Sequence, residues 1–256
     1  MKKNSYLVSV LLPVIQEDQN LIILVPKLKK ILKEYKYEII IIGSYTKCDE
    51  SEIISKKLKV KYVRRKNEEG ERERGRERER ASGRKGGGKD KALQNNSYGS
   101  AIRSGLAKST GKKIIIMDSD GSHDSKILPK MIKLSNKFDL IIASRYIKGG
   151  KTTNKLYLIL LSRIINFIYS IILNIKIKDI SNSFRLYDAK KIKSLKLFCN
   201  HFDIIMEILY KMTKNNTLKI KEIPSTFNKR NFGKTKRNFI STIHYLIISF
   251  KLRVSY

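Results

Sequence analysis

Four short apolar runs constrain this chain more than any other feature: Leu7–Leu12, Glu38–Ile42, Lys113–Met117 and Leu140–Ala143. They are dominated by Ile, Leu and Val without strict alternation, the pattern of strands covered on both faces. Helical spacing fills the intervals. Leu21–Lys33 follows Asn20, a candidate cap, with Pro26 expected in its first turns. Ser51–Leu58, Ser100–Ser109 and Ser125–Leu134 read as further helices, and Lys59–Val63 as another strand. Alternation of strand and helix over residues 7–143 predicts an α/β fold, a doubly wound and mostly parallel sheet with helices on both faces. Such sheets bind ligands at the carboxyl ends of their strands, which is where chemistry is to be sought.

One stretch interrupts the pattern. Residues 67–95 alternate Glu and Arg and then run into Gly-Arg-Lys-Gly-Gly-Gly, with hardly an apolar side chain before Ala92 and Leu93. Such a segment cannot bury enough surface to order itself, so it reads as a low-complexity insert in one domain spanning 1–256. The insert does not explain the charge. The chain carries 55 Lys and Arg against 23 Asp and Glu, a net of +32, whereas residues 64–91 hold 12 basic and 7 acidic side chains, a net of only +5. The excess is spread over the folded part and calls for anionic partners: nucleic acid, an anionic membrane or phosphorylated substrates. No RNA or DNA module is recognisable and the basic residues lack regular aromatic interleaving, so no nucleic-acid partner is expected. Hydrophobic residues make up 41% of the chain, which excludes wholesale disorder. Cys48 and Cys199 cannot form a disulfide framework, and a reducing compartment is the simpler reading.

The N-terminal run reads as a buried first strand ended by Pro13 rather than a signal peptide, because Gln16-Glu17-Asp18 follows at once with no small-residue cleavage site. Residues 156–175 are long enough to span a bilayer, but Ser162, Asn166, Ser170 and Asn174 recur every four positions along one face, with Arg163 at its border. A mid-span Arg costs about 2.5–3.5 kcal/mol on insertion. One helix, or two with a break, lying against the core or in the membrane interface is therefore expected. Residues 238–252 are a shorter apolar stretch flanked by Lys236, Arg237, Lys251 and Arg253, which suits an interfacial helix on anionic lipid as well as an ordinary terminal helix.

The strongest local signal is Lys113–Ser125. A run of Ile ends in Asp118 and Asp120, one residue apart, with Gly121 permitting a turn and with His123 and Asp124 close by. Two carboxylates at the carboxyl end of a buried strand suit a hard divalent ion, Mg²⁺ or Mn²⁺, whose shell is completed by water and substrate phosphate oxygens. Asp118, Asp120 and His123 are the candidate metal ligands.

These residues resemble the Asp-x-Asp segment of glycosyltransferase family 2, notably its dolichyl- and polyprenyl-phosphate sugar transferases. Other pieces resemble that family in the same order. Residues 8–21 look like its first strand and Pro-x-x-Asn-Glu turn, with Gln16 where Asn is usual. Residues 96–111 look like the helix before the metal strand, 142–150 like its Ser/Thr-Arg-Tyr segment, and 179–187 like its Asp-x-x-x-Ser-Phe-Arg-Leu-Tyr segment. Residues 202–208 and 222–236 are similar to its Met-Glu helix and its Pro…Arg-x-x-Gly-x-Ser-Lys loop. The resemblance runs over about 8–237, apart from the insert.

The resemblance implies a nucleotide-sugar-transferase fold of the GT-A type with C-terminal amphipathic helices. It implies an inverting, metal-dependent hexosyltransferase, of mannose or glucose type, using a nucleotide-diphospho-sugar donor and a polyprenyl or dolichyl phosphate acceptor. Asp118, Asp120, Asp179 and Arg145 would be catalytic. Pro13, Glu17, Arg230, Lys234 and Lys236 would face the donor, while Arg145, Ser162 and Arg163 would take the acceptor phosphate. A phosphomonoester acceptor is already ionised and needs no general base, whereas a glycan or other lipid-linked hydroxyl would need one, for which Asp179 is the candidate. The implied location is peripheral, at the cytoplasmic face of a membrane, with a membrane-anchoring subunit as a possible partner. One departure bears on the donor: after the second strand the family's acidic pair is replaced by Gly43-Ser44. It also leaves open a catalytically degenerate, membrane-associated member.

Overall fold

The structure is a computed structural model and describes residues 7–14, 18–44, 50–65, 97–214, 217–230, 232 and 239–255. The 67–95 insert falls outside the described residues. Among the described residues, seven strands form one sheet in the order β3-β2-β1-β4-β7-β5-β8. They are β1 (Val8–Pro13), β2 (Tyr37–Gly43), β3 (Lys61–Arg64), β4 (Lys113–Ile116), β5 (Leu140–Ser144), β7 (Arg185–Asp188) and β8 (Ile220–Pro224). All neighbours run parallel except β7, which lies antiparallel between β4 and β5. A two-stranded parallel ribbon, β6 (Lys151–Thr152) with β9 (Thr226–Phe227), stands beside it.

The apolar runs are buried on both faces, as their composition requires. Ile40, Ile42, Ile114 and Ile116 point into one core, and their neighbours Ile39, Ile41, Ile115 and Met117 into the other. The second core is covered by α1 (Asp18–Leu32) and α4 (Leu128–Leu134). The first is covered by α3 (Tyr98–Lys108), α5 (Leu156–Leu173), α6 (Ala189–Lys193), α7 (Ile204–Thr213) and Leu252 of α8 (Phe239–Ser255). Helix α2 (Glu50–Lys57) leads into β3. The doubly wound, mostly parallel sheet expected from the sequence is therefore present.

One local expectation needs correction, and one alternative is decided. Pro26 lies in the interior of α1, not in its first turns. Pro26 lacks an N–H, which frees the carbonyl of Ile22. Both residues are exposed, so that carbonyl faces water and the helix continues. Of the two arrangements open for 156–175 the structure has the single helix, Leu156–Leu173, closed at Asn174 in the left-handed conformation (φ 53°).

The winding reverses at β1. Its parallel neighbours are β2 on one side and β4 on the other, so the crevice at their carboxyl ends is the topological switch point. Pro13 and Val14 end β1 there, and Asp118 follows β4.

Candidate active site

The acidic half of the site is built by the turn after β4. Asp118 Oδ1 accepts the hydroxyl of Ser183 (2.9 Å) and that of Tyr98 (3.3 Å), at the start of α3. Asp120 Oδ1 accepts the backbone N–H (2.9 Å) and hydroxyl (2.6 Å) of Ser122. Gly121 between them has φ +78°, a conformation other residues rarely adopt, and this lets the chain turn back on Asp120. The Ser119 hydroxyl donates to the Pro13 carbonyl (3.0 Å), fixing this turn against the end of β1.

One oxygen of each carboxylate is thus committed to the protein. Asp118 Oδ2 lies 3.8 Å from His123 Nε2, and Asp120 Oδ2 pairs with Arg230 at 3.0 Å. Two hard oxygens at a position that already balances a positive charge fit a divalent cation. Among the described residues no three His, Cys, Asp or Glu side chains form a fuller ligand set. His123 accepts the Asp118 backbone N–H at Nδ1 (3.1 Å), so the neutral ring carries its proton on Nε2. Through this contact His123 supports the Asp118 turn, and its Nε2 stands beside Asp118 Oδ2. Its ring is buried, stacked on Phe184 (4.9 Å between centroids) and edge-on to Phe227 (5.7 Å).

Arg230 reaches Asp120 because the segment after β8 lies along the turn. His123 forms a β-bridge with Phe227, and Asn228 N–H donates to Ser122 O (2.8 Å). Of the other donor-facing residues, Glu17, Lys234 and Lys236 fall outside the described residues. The Gly43-Ser44 end of β2 sits beside Pro13, where Pro13 is in register with Ile42.

The basic half centres on Arg145, just past β5. Its Nε and Nη2 meet Asp179 Oδ2 and Oδ1 at 2.8 and 2.6 Å, and its backbone N–H also donates to Asp179 Oδ2 (2.8 Å). Burial works against the guanidinium charge, but Asp179, with a smaller contribution from Asp118, holds its pKa above the ordinary value. Asp179 itself is fully buried, and both of its oxygens accept from Arg145. The Arg145 guanidinium lies 4.7 Å from the Tyr146 ring centroid, and that of Arg163 lies 5.5 Å from the same ring. Arg145 also sits 5.5 Å from the ring of Phe227, which thereby touches both halves of the site. Ser162, on α5, is turned toward Asn166, whose amide donates to the Ser162 carbonyl (2.7 Å).

The segment 179–183 ties the halves together. Asp179 and Ser181 hold Arg145, Asn182 reaches back to the Ala143 carbonyl, and Ser183 holds Asp118. Arg185 is fully buried and fixes that segment through the carbonyls of Ile180 and Asn182, and fixes α7 through that of Ile205. Next to the Arg145–Tyr146–Arg163 stack runs a groove of about 230 Å³ lined by Tyr146, Arg163, Asn166, Phe167, Ile177 and Lys178. The sequence reading missed Tyr98, Ser181, Ser183 and Asn166 as site residues. For Asn166 the signal was present in the four-residue polar repeat, whereas the pairing of Tyr98 with Asp118 is purely tertiary.

The chain is similar to known proteins in sequence and in fold. The model of Glycosyl transferase family 2 matches residues 80–196, which include Asp118, Asp120, Arg145 and Asp179. The dolichol-phosphate mannosyltransferase of Pyrococcus furiosus is 28% identical over 247 residues, 93% of this chain and 61% of that protein. The polyprenol monophosphomannose synthase of Mycolicibacterium smegmatis is 28% identical over 132 residues, 48% of each. The chain thus spans about three fifths and about half of the lengths of these curated relatives. Crystal structures of glucosyl-3-phosphoglycerate synthase from Mycobacterium tuberculosis share the fold at 15% identity. The complex with Mn²⁺, UDP-glucose and phosphoglyceric acid has a TM-score of 0.64, covering 98% of this chain and 80% of that one. The complex with Mg²⁺ and UDP has a TM-score of 0.63 over the same shares. Strand order and the likeness to these crystal structures show the GT-A fold, and residues 80–196, which carry the switch-point carboxylates, are similar to a glycosyl transferase family 2 domain.

Proposed function

We propose that this chain is a glycosyltransferase that moves a hexose from a nucleotide-diphospho-sugar to a polyprenyl or dolichyl phosphate, with inversion, at a membrane surface. The observation that carries the reading is the pairing of two charged clusters across Phe227: Asp118 and Asp120 on one side, Arg145 and Arg163 around Tyr146 on the other. The relatives named dolichol-phosphate mannosyltransferase and polyprenol monophosphomannose synthase support a hexose as the group moved and a polyprenyl-type phosphate as its acceptor.

In this reading Asp118 and Asp120 would hold a Mg²⁺ or Mn²⁺ ion, which would supply charge neutralisation for the leaving nucleoside diphosphate. Arg230 exchanges its contact with Asp120 for the donor phosphates, and Glu17, Lys234 and Lys236 complete the donor side. Arg145 and Arg163 bind and orient the acceptor phosphate. That phosphate is already anionic, so it attacks the anomeric carbon directly, and positioning with charge stabilisation supplies the rate. The pairing of both Asp179 oxygens with Arg145 supports an acceptor that needs no general base over a hydroxyl. The groove beside Tyr146 joins apolar walls to two cations, Arg163 and Lys178, a combination suited to the phosphate end of an isoprenoid.

Helix α5 supports the membrane location. It is long and apolar enough to cross a bilayer by length and composition, and only 17% of it is buried. Leu156, Leu160, Ile164, Phe167 and Ile171 are exposed, while its polar stripe turns inward at Asn166. That is the polarity of a helix lying in an interface, apolar side out. We read the protein as peripheral, on the cytoplasmic face, with a membrane-anchoring subunit as a possible partner.

The test is a thermal-shift panel of GDP-, UDP- and CDP-sugars with and without Mn²⁺, followed by transfer of the stabilising donor's labelled sugar to polyprenyl phosphate. Metal-dependent stabilisation by one nucleotide sugar and label in the lipid phase are expected. Failure of every donor to bind in the presence of Mn²⁺ would overturn the reading and favour a degenerate member.

A further inference from the structure

The polar stripe of α5 has a structural use that the transfer reaction itself does not account for. Asn166 is 2% exposed, on a helix whose other side is among the most exposed apolar surface in the protein. A buried amide must find partners for its oxygen and both its hydrogens. Asn166 finds them chiefly in one residue. Its Oδ1 accepts the backbone N–H of Ser181 (2.8 Å), and its Nδ2 donates to the Ser181 hydroxyl (3.1 Å) as well as to the Ser162 carbonyl one turn earlier (2.7 Å). The same Ser181 hydroxyl accepts from Arg145 Nη2 (3.0 Å). An unbroken chain of hydrogen bonds therefore runs from the inner face of α5 to the guanidinium.

We infer that Asn166 is a positioning residue that sets the Arg145 guanidinium for the acceptor phosphate by gripping Ser181, so that the seating of α5 and the acceptor site are one mechanical unit. The inference rests on the reading of Arg145 as the acceptor-phosphate residue. Asp179 fixes the guanidinium at Nε and Nη2 from one side, and Ser181 adds a second direction at Nη2. Ser181 can do so only if its own position is held. Its backbone N–H and its hydroxyl both answer to Asn166, whereas the neighbouring Asp179 is anchored independently. The Glu222 carboxylate on β8 accepts the N–H groups of Lys178 and Asp179 (3.0 and 3.1 Å). Removing Asn166 thus releases one of two supports of Arg145 and leaves the other in place.

The experiment uses the full chain and three variants, Asn166→Ala, Ser181→Ala and the double variant. Readouts are KM for donor and for acceptor, kcat, the unfolding temperature, and the ¹⁵N guanidinium resonance of Arg145, assigned by its loss in Arg145→Lys. Misplacing a binding group by about 1 Å can cost about a hundredfold. Acceptor KM should therefore rise about tenfold or more in Asn166→Ala, with donor KM unchanged. Ser181→Ala should reproduce that rise and the double variant should add little to it, because both act through one hydroxyl. The Arg145 resonance should shift alike in all three variants. Equal losses in donor and acceptor parameters, additive effects, or an unmoved Arg145 resonance would overturn the inference. If the unaltered chain transfers nothing to polyprenyl phosphate, the proposed reaction fails, and the guanidinium resonance still decides whether Asn166 positions Arg145.

Discussion

Arg145 clasps Asp179 through two parallel contacts of 2.6 and 2.8 Å, and the aspartate is wholly buried beneath it. A fork-to-fork pair of this kind fixes both the position and the plane of the guanidinium. Breaking a buried pair by removing one charge costs about 3–5 kcal/mol, because the partner is left uncompensated. Asp179→Asn is therefore expected to lower unfolding free energy by roughly that amount in urea titration. Arg145→Lys keeps the charge but loses the fork, and should raise acceptor KM while leaving donor binding intact. An Asp179→Asn protein of unaltered stability would sink the claim that this pair holds the site.

The acidic half invites a separate test. Asp120 Oδ2 faces Arg230, and its other oxygen is tied to Ser122. Asp120→Asn retains the shape and the Ser122 contacts but removes the charge that would receive a cation. Transfer should fall by about 10²–10³-fold, the scale found when a single electrostatic stabiliser is lost. Far-ultraviolet circular dichroism and urea titration should show the fold retained. Mn²⁺-dependent stabilisation by the nucleotide sugar should vanish in the same protein. Normal turnover would remove Asp120 from the donor side.

The frame of this molecule was legible because its strands are buried twice over. Ile39–Ile42 feeds both cores with alternate side chains, so the run had to be apolar throughout, and apolarity of that kind reads directly as a central strand. Asp118 and Asp120 were legible for a related reason: in a doubly wound sheet the residues just past a strand at the switch point face the ligand crevice. The antiparallel strand Arg185–Asp188 was not read. It is only four residues long and holds Arg185, which is fully buried because backbone carbonyls satisfy it. No pattern in the sequence announces such satisfaction. The partner of Arg145 was likewise hidden, since 34 residues separate it from Asp179 and only the fold joins them. The polar repeat of α5 was visible, yet which way it faced depended on what it met, and it met Ser181.

The outer face of α5 predicts how the protein meets lipid. Phe167 is 65% exposed and Ile171 is 63% exposed, one turn apart. Replacing both with Asp removes apolar area and adds charge that repels an anionic surface. Flotation with vesicles containing phosphatidylglycerol should show binding reduced about tenfold or more, since each apolar side chain withdrawn from water contributes about 1.5–3 kcal/mol. The unfolding temperature should stay constant, because these side chains touch little of the core. Undiminished vesicle binding would move the lipid contact away from α5.

At the opposite end of the sheet, Glu38 predicts a pH dependence of stability that is independent of the active site. Its Oε1 accepts from Ser9 (2.7 Å) and from the N–H and hydroxyl of Thr110 (2.6 and 2.8 Å), while Oε2 pairs with Lys61 at 3.4 Å. Burial pushes its pKa up, but the hydrogen bonds from Ser9 and Thr110 and the charge of Lys61 outweigh that, and the carboxyl titrates below its ordinary value. The unfolded chain binds the proton more readily than the folded one, near the ordinary Glu pKa of about 4.3. The stabilisation is therefore fully present above that pH and is lost as pH falls through the lower, folded pKa. Glu38→Gln keeps an accepting oxygen for Ser9 and Thr110 and loses the charge. At pH 7 it should be about 1–3 kcal/mol less stable than the unaltered chain, the range for charge-assisted hydrogen bonds in a buried site. The two unfolding curves should converge as the pH falls from about 4.3 through the lower, folded pKa, below which residue 38 is neutral in both proteins. A gap that is constant with pH would show that the charge of Glu38 contributes nothing, and that shape alone holds Thr110 and Gly111 against the first strand.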